Sequence, residues 1–376
     1  MRRVAVIYHM WPHYREAVAL AMDRSERIAY TFYGSGAPHD GIEHLDPSRL
    51  RRFVTAPFGY KWGAMWQPEA VRAARSSNYD AIIYLGDPHF ASTWVGAAIA
   101  KMRGTPILFW AHGWLRPERA ATKALRRTFF ALADKVMVYA DRGKQLGIKA
   151  GYPVERIKVV YNSLDVAKAD RIIDRIESGS LVSYHPQALF DEPERPLIVC
   201  TARLTEKCRF DLLLDAAKLL AERGRPINIL LIGDGPARSE LEAQAARDGL
   251  SVHFFGACYD EDVTGQLIYH ADITVSPGKI GLTAMHSLMY GTPAITHDDL
   301  DNQMPEVEAI TPGETGAFFR RDDAHDLGDT IDEWLLNAPD RAQVRSRARA
   351  ATHGKWNPVM QAKLIEEAVM EAIERA

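Results

Sequence analysis

Short, nearly unbroken apolar runs recur along the chain. They are Val4–Tyr8, Ala81–Leu85, Ile107–Trp110 and Val136–Tyr139 in the first half, then Leu197–Cys200, Ile229–Ile232, Val252–Phe255, Ile273–Val275 and Ala294–Thr296 in the second. Runs of this length without polar alternation predict strands buried on both faces, as in a parallel sheet. Between them lie segments of helical spacing, among them Arg15–Met22 and Thr93–Met102. Lys101-Met-Arg-Gly-Thr-Pro106 closes one such helix, with glycine as the stop and proline leading into the next strand. Strand and helix alternating in this way predict an α/β protein whose parallel sheets carry helices on both faces.

The rhythm weakens once, from about Asp165 to Pro196. The polar, proline-rich run Gln187-Ala-Leu-Phe-Asp-Glu-Pro-Glu-Arg-Pro196 is the linker candidate. A chain of 376 residues exceeds one ordinary core. We therefore expect two domains, residues 1–185 and 190–357. Residues 358–376 form an amphipathic helix with no sheet partner of its own, expected to return to the first domain.

Composition changes the picture little: 47% apolar and 25% charged residues are average for a globular protein. No segment approaches ~18 uninterrupted apolar residues. The opening Met-Arg-Arg-Val-Ala-Val-Ile-Tyr reads as a strand rather than a signal peptide. Cys200, Cys208 and Cys258 lack metal-type spacing, so reduced thiols in a cytoplasmic protein are expected. Charge is more telling. Residues 1–190 hold 27 Lys/Arg against 17 Asp/Glu, leaving 19 against 32 in the rest. The basic half suits an anionic partner, either a phosphorylated acceptor or an acidic membrane surface. Nothing points to nucleic acid.

The chemistry concentrates at strand ends of the second half. Arg203 and Lys207, in Thr201-Ala-Arg-Leu-Thr-Glu-Lys207, follow one strand, and Ser276-Pro-Gly-Lys-Ile-Gly-Leu282 follows another. Open α/β sheets bind ligands at the carboxyl ends of their strands. Two fixed cations beside a glycine turn that opens a helix make a diphosphate site. The alternatives are a solvated pair of charges for Arg203 and Lys207, and a plain strand-to-helix turn for the glycines.

These blocks, with Asp211-Leu-Leu-Leu-Asp-Ala216, Gly233-Asp-Gly-Pro236, Ala271-Asp-Ile-Thr-Val-Ser-Pro277, Gly291-Thr-Pro-Ala-Ile295 and Glu308…Gly313-Glu-Thr-Gly316, occur in order. Together with Ala111-His112-Gly113 and Asn162-Ser-Leu-Asp165, they resemble the retaining family 4 of the GT-B glycosyltransferases over roughly residues 80–320. The resemblance implies two Rossmann-like domains facing a cleft. It implies a nucleotide-diphosphate sugar donor, a hydroxyl acceptor on a glycan or lipid-linked precursor of cell-surface polysaccharide, retained configuration, and neither metal nor cofactor. It assigns Arg203 and Lys207 to the leaving diphosphate, with His112 near the donor sugar. Gly278, Lys279, Ile280, Gly281 and Leu282 become the phosphate cradle, with His286 at the ribose and Glu308 in a closing block. The chain departs from the family at two positions, having Gly278 and His286 where two glutamates eight apart are usual. A non-catalytic nucleotide-sugar or glycan binder therefore stands as the alternative, followed by a nucleotide-sugar epimerase.

In the first half, His9, Tyr14 and Arg15 follow the first strand, and Asp87 follows another. Aromatics with an arginine suit a sugar acceptor bearing an anionic group. Core filling by Tyr14 and a turn role for Asp87 are the alternatives. His112 has the alternative of packing beneath Trp110 and Trp114. Arg119, Lys123, Arg126 and Arg127 lie on a basic helix that either meets anionic lipid or is simply solvated.

Overall fold

The structure, a computed structural model, describes residues 1–38, 42–61, 63–182, 184–337 and 339–375. Its two compact units are Met1–Asp165 with Lys355–Ala376, and Val166–Gly354.

In the first unit the apolar run Val4–Tyr8 forms β1 (Arg2–Ile7), and β2 (Ile28–Gly34) and β3 (Phe53–Thr55), which none of the expected runs includes, extend the sheet beside it. A small antiparallel hairpin, β4 (Gly59–Lys61) with β5 (Ala64–Trp66), comes next. Then follow β6 (Ala81–Leu85), β7 (Ile107–Trp110), β8 (Lys135–Val138) and β9 (Ile157–Val159). The sheet order is β3-β2-β1-β6-β7-β8-β9, parallel at every pairing. Alternate residues of β1 serve opposite cores: Val4 and Val6 face one layer, Ala5 and Ile7 the other. Burial on both sides is why these strands show no polar alternation.

The second unit repeats the plan with β10 (Leu197–Thr201), β11 (Asn228–Ile232), β12 (Val252–Gly256), β13 (Ile273–Ser276), β14 (Ala294–His297) and β15 (Gly316–Phe319). Their order is β12-β11-β10-β13-β14-β15, again all parallel. In each sheet the order reverses once, between β1 and β6 and between β10 and β13. Chain leaves the sheet toward opposite sides at such a point, which opens a crevice at the strand ends.

The domain boundary needs correction. It falls at 165/166 rather than near 185–190. The helix Val166–Glu177 belongs to the second unit, where Arg175 pairs with Asp262 at 2.9 Å and Tyr269 donates to Glu177 at 3.0 Å. The proline-rich run is likewise no free linker. Gln187 donates to the His270 carbonyl at 3.0 Å, and the Glu192 carbonyl accepts from Asn228 at 2.8 Å.

The chain returns to the first unit at Lys355. The Asn357 side chain accepts from the Met360 N–H and Pro358 takes the first helical position, which together start the helix Pro358–Glu374. Its apolar face, including Ile365, Ala368 and Val369, joins the core of Val18 and Met22. Its polar edge is tied by Lys158 to Glu367 at 3.0 Å and to Glu371 at 2.9 Å, with buried Lys135 also bonded to Glu371.

Candidate functional site

At the second unit's switch point, the segment after β10 and the turn after β13 come together. Gly278 N–H donates to the Cys208 carbonyl at 3.0 Å, and Thr283 Oγ1 donates to the Thr201 carbonyl at 3.1 Å. The approach is so close that a Cβ at position 278 would lie 2.2 Å from the Lys207 carbonyl oxygen. Only glycine fits there without moving the loop that carries Lys207. Arg203, Lys207 and Lys279 are all exposed. Among the described residues, none of these three side chains has an acidic or hydrogen-bonding partner. The surrounding cations differ: Arg209 pairs with Asp211 and Asp322, Arg238 with Glu242, and Arg321 with Asp299. All three follow strands of the second sheet, Arg203 and Lys207 after β10 and Lys279 after β13.

The helix Leu282–Met289 begins at Gly281 with no side chain capping it. Of its first N–H groups, that of Ala284 donates to the Gly281 carbonyl at 2.9 Å. One member of the expected cradle is already occupied. The Ile280 N–H donates to Gln303 Oε1 at 2.8 Å, and Ile280 itself is fully buried. Gln303 in turn donates to Thr296 Oγ1 at 2.9 Å and to the His297 carbonyl at 3.0 Å, while Thr296 donates to the Ser276 carbonyl at 2.8 Å. This buried amide–hydroxyl network holds the turn's shape, and nothing in the local motif revealed it. His286 lies one turn further on and half-buried, with Nε2 at 2.9 Å from Glu261 Oε1. Glu308 is half-buried in the short helix Pro305–Ala309.

In the first unit, His9 and Arg15 follow β1, Asp87 follows β6 and His112 follows β7, so the switch point gathers them as well. Arg15 is not held open for an anion. Its guanidinium donates to the hydroxyls of Tyr139 and Tyr8 and lies 5.0 Å from the Trp110 ring centroid. Its charge is thus seated in an aromatic box. His112 packs 5.2 Å from Tyr139, with one edge exposed. Partial loss of solvation, and then the Arg15 charge, push its imidazole down to about 4, against a smaller opposing pull from Asp87. The ring is therefore neutral at physiological pH, able both to donate and to accept. Asp87 takes the turn role, accepting the His89 N–H at 2.9 Å and facing His89 Nδ1 at 2.7 Å. His9 packs between Phe58 and Phe90, and half-buried Tyr14 stacks edge-on with His13.

Residues 185–351 match the family described as glycosyl transferases group 1, and residues 14–168 match glycosyltransferase family 4. The chain belongs to this family. The family-4 chain is 34% identical over 167 residues to the GDP-mannose-dependent α-(1-6)-phosphatidylinositol dimannoside mannosyltransferase of Mycobacterium tuberculosis. That match covers 44% of this chain and 42% of the relative, so the chain spans under half the relative's length. It is 24% identical over 266 residues to the 2-deoxystreptamine glucosyltransferase of Streptomyces kanamyceticus, covering 66% of this chain and 68% of the other. In fold it is similar to HepE of Anabaena, crystallised with UDP. There the TM-score is 0.71 at 17% identity, over 99% of this chain and 100% of that one. The fold is accordingly GT-B, with two Rossmann-like sheets.

The basic helix of this family-4 chain, Ala120–Phe130, sorts its charges by face. Arg119, Lys123 and Arg127 are exposed in one stripe at four-residue spacing. Arg126 turns inward instead, to Glu118 at 2.6 Å and over Phe130 at 5.6 Å, and is removed from any surface role. Among the described residues no helix is long and apolar enough to cross a membrane, and no cluster of His, Cys, Asp or Glu has the makings of a metal site.

Proposed function

We propose that this chain transfers a sugar from a nucleoside-diphosphate sugar to a hydroxyl of a glycan or lipid-linked acceptor. The observation that carries the reading is the trio Arg203, Lys207 and Lys279 at the carboxyl ends of β10 and β13, exposed and, among the described residues, without acidic partners. When the bond from sugar C1 to the β-phosphate oxygen breaks, negative charge grows on the diphosphate. These cations and the open N-terminus of the helix Leu282–Met289 stabilise that charge. The acceptor oxygen bonds to C1 on the same face, and its proton passes to the departing phosphate, so configuration is retained. Neutral His112 hydrogen-bonds sugar hydroxyls, and Tyr14 offers a ring face to the acceptor. The stripe Arg119, Lys123 and Arg127 suits an anionic membrane surface that carries such an acceptor.

The mannosyltransferase relative makes GDP-mannose the first donor to try, and the UDP-bound fold neighbour makes UDP-sugars the second. One observation favours a second reading, a nucleotide-sugar binder without turnover: Gly278 leaves the sugar side with no carboxylate at that position, and the loop at Lys207 fills the space. The test is thermal stabilisation by GDP, UDP and their sugar conjugates, followed by release of free nucleoside diphosphate. A ligand at ~100 times its Kd adds about 2.7 kcal/mol. Stabilisation lost in Arg203→Ala/Lys207→Ala, with turnover in the wild type, supports the transferase. Binding without turnover supports the binder.

A further inference from the structure

The imidazole of His286 is engaged at one nitrogen and open at the other. Nε2 lies 2.9 Å from Glu261 Oε1, while among the described residues Nδ1 has no partner. Tyr290 donates its hydroxyl to the same Glu261 oxygen at 2.8 Å. The pairing is built into two facing helices. Glu261 and Gly265 lie four apart on Glu261–His270, and His286 and Tyr290 lie four apart along the helix that starts at Leu282. Contact is close enough that a Cβ at position 265 would lie 2.6 Å from the Tyr290 hydroxyl oxygen. The spacing of the two helices is therefore fixed by a glycine, and the carboxylate cannot drift from the ring.

Glu261 is also held ionised. Burial alone would raise its carboxyl, but His286, Tyr290 and Lys168 outweigh that and bring it to about 2. An ionised carboxylate only accepts hydrogen bonds, so the nitrogen facing it must carry a proton. That fixes His286 Nε2 as the donor and presents Nδ1 to whatever lies beyond the ring.

We propose that Glu261 is a positioning residue of the nucleotide site, holding His286 by Nε2 so that Nδ1 meets a ribose hydroxyl. The proposal rests on the nucleotide-binding reading above and deepens it. Glu261 acts through His286 and does not itself touch the ligand.

The test compares GDP and UDP with their 2′-deoxy and 3′-deoxy counterparts by titration calorimetry, on the wild type, Glu261→Gln and His286→Ala. The wild type should bind a ribonucleotide about tenfold more tightly than one of its deoxy forms, the worth of one hydrogen bond. Both variants should bring that ratio close to one while deoxynucleotide affinity, set by the phosphates, changes little. A purely structural role would lower melting temperature and all affinities together, leaving the ratio intact, and that result overturns the proposal. Should the variants fail to fold, ¹⁵N spectroscopy of the wild type decides. The His286 Nδ1 resonance should shift with the ribonucleotide and not with the deoxynucleotide it discriminates against, and a resonance unmoved by either overturns the assignment. If neither GDP nor UDP binds the wild type, the nucleotide reading itself fails and takes this one with it. A ratio of one in a wild type that does bind them sinks this inference alone.

Discussion

At the scale of single residues, the charge environment separates cations paired with carboxylates from those that are not. Among the described residues, Arg203 and Lys207 have no acidic partner to lose. Replacing either with alanine should leave the melting temperature nearly unchanged, yet weaken nucleoside diphosphate binding about ten- to a hundredfold, as expected for bonds to a charged group. Calorimetric titration beside a melting curve checks both halves. Gly278 makes an opposite case. Restoring the family's glutamate with Gly278→Glu should not improve donor binding, because the new Cβ meets the Lys207 carbonyl at 2.2 Å. We expect the loop at Lys207 to be displaced and nucleotide affinity to fall. Equal or tighter binding by that variant would show that the loop yields easily. His112 is legible as a residue but not as a chemical state: the sequence places it after β7, whereas its neutrality comes from desolvation in the fold and from the charge of Arg15, distant along the chain.

At the scale of elements, the strands that show in the sequence are those buried on both faces. β6 and β7 fall where the apolar runs place them, because every residue of such a run faces one core or the other. β3 and β9 are three residues each and partly exposed, too short and too polar to stand out from their surroundings. Helix faces depend even more on tertiary contacts. Arg126 and Arg127 are adjacent in sequence, and contacts with Glu118 and Phe130 turn the former inward. Binding to vesicles containing anionic lipid should therefore fall sharply for Arg119→Glu/Lys123→Glu/Arg127→Glu, at about 1 kcal/mol for each charge removed. Sedimentation with vesicles measures this, and unchanged binding would remove the helix from any membrane role. For the C-terminal helix, Glu371→Gln strips the countercharge from Lys135, whose side chain is only 4% exposed. Since Glu371 is itself partly solvated, the loss should be about 2 kcal/mol, readable as a lower melting temperature.

At the scale of the whole molecule, two partly desolvated histidines set an acid limit. His112 and His270 are each brought from an ordinary 6.5 to about 4, His112 chiefly by burial with Arg15 and His270 by burial with His185 and two arginines. Each takes its proton near pH 6.5 when unfolded and only near pH 4 when folded. Between these values the unfolded state binds more protons, so stability is full above pH 6.5 and falls as pH falls toward 4. Melting temperature should hold steady from pH 8 to 7 and then decline through that window. His270→Asn should flatten the decline in part, and a profile identical to the wild type would deny His270 its share.

What the sequence determined by itself is the alternation of strand and helix, two doubly wound sheets, and the strand ends that bear Arg203, Lys207 and the glycine turn. These follow from local pattern, since a parallel strand writes its burial into consecutive residues and a phosphate turn into a few adjacent ones. The tertiary structure alone decided where one unit ends and the next begins, that Arg15 is held by tyrosines, that Gln303 supports the turn, and that Glu261 faces His286. Each of those facts joins residues distant in the chain through the packing of one element on another. Such pairings leave no periodic trace in either segment alone.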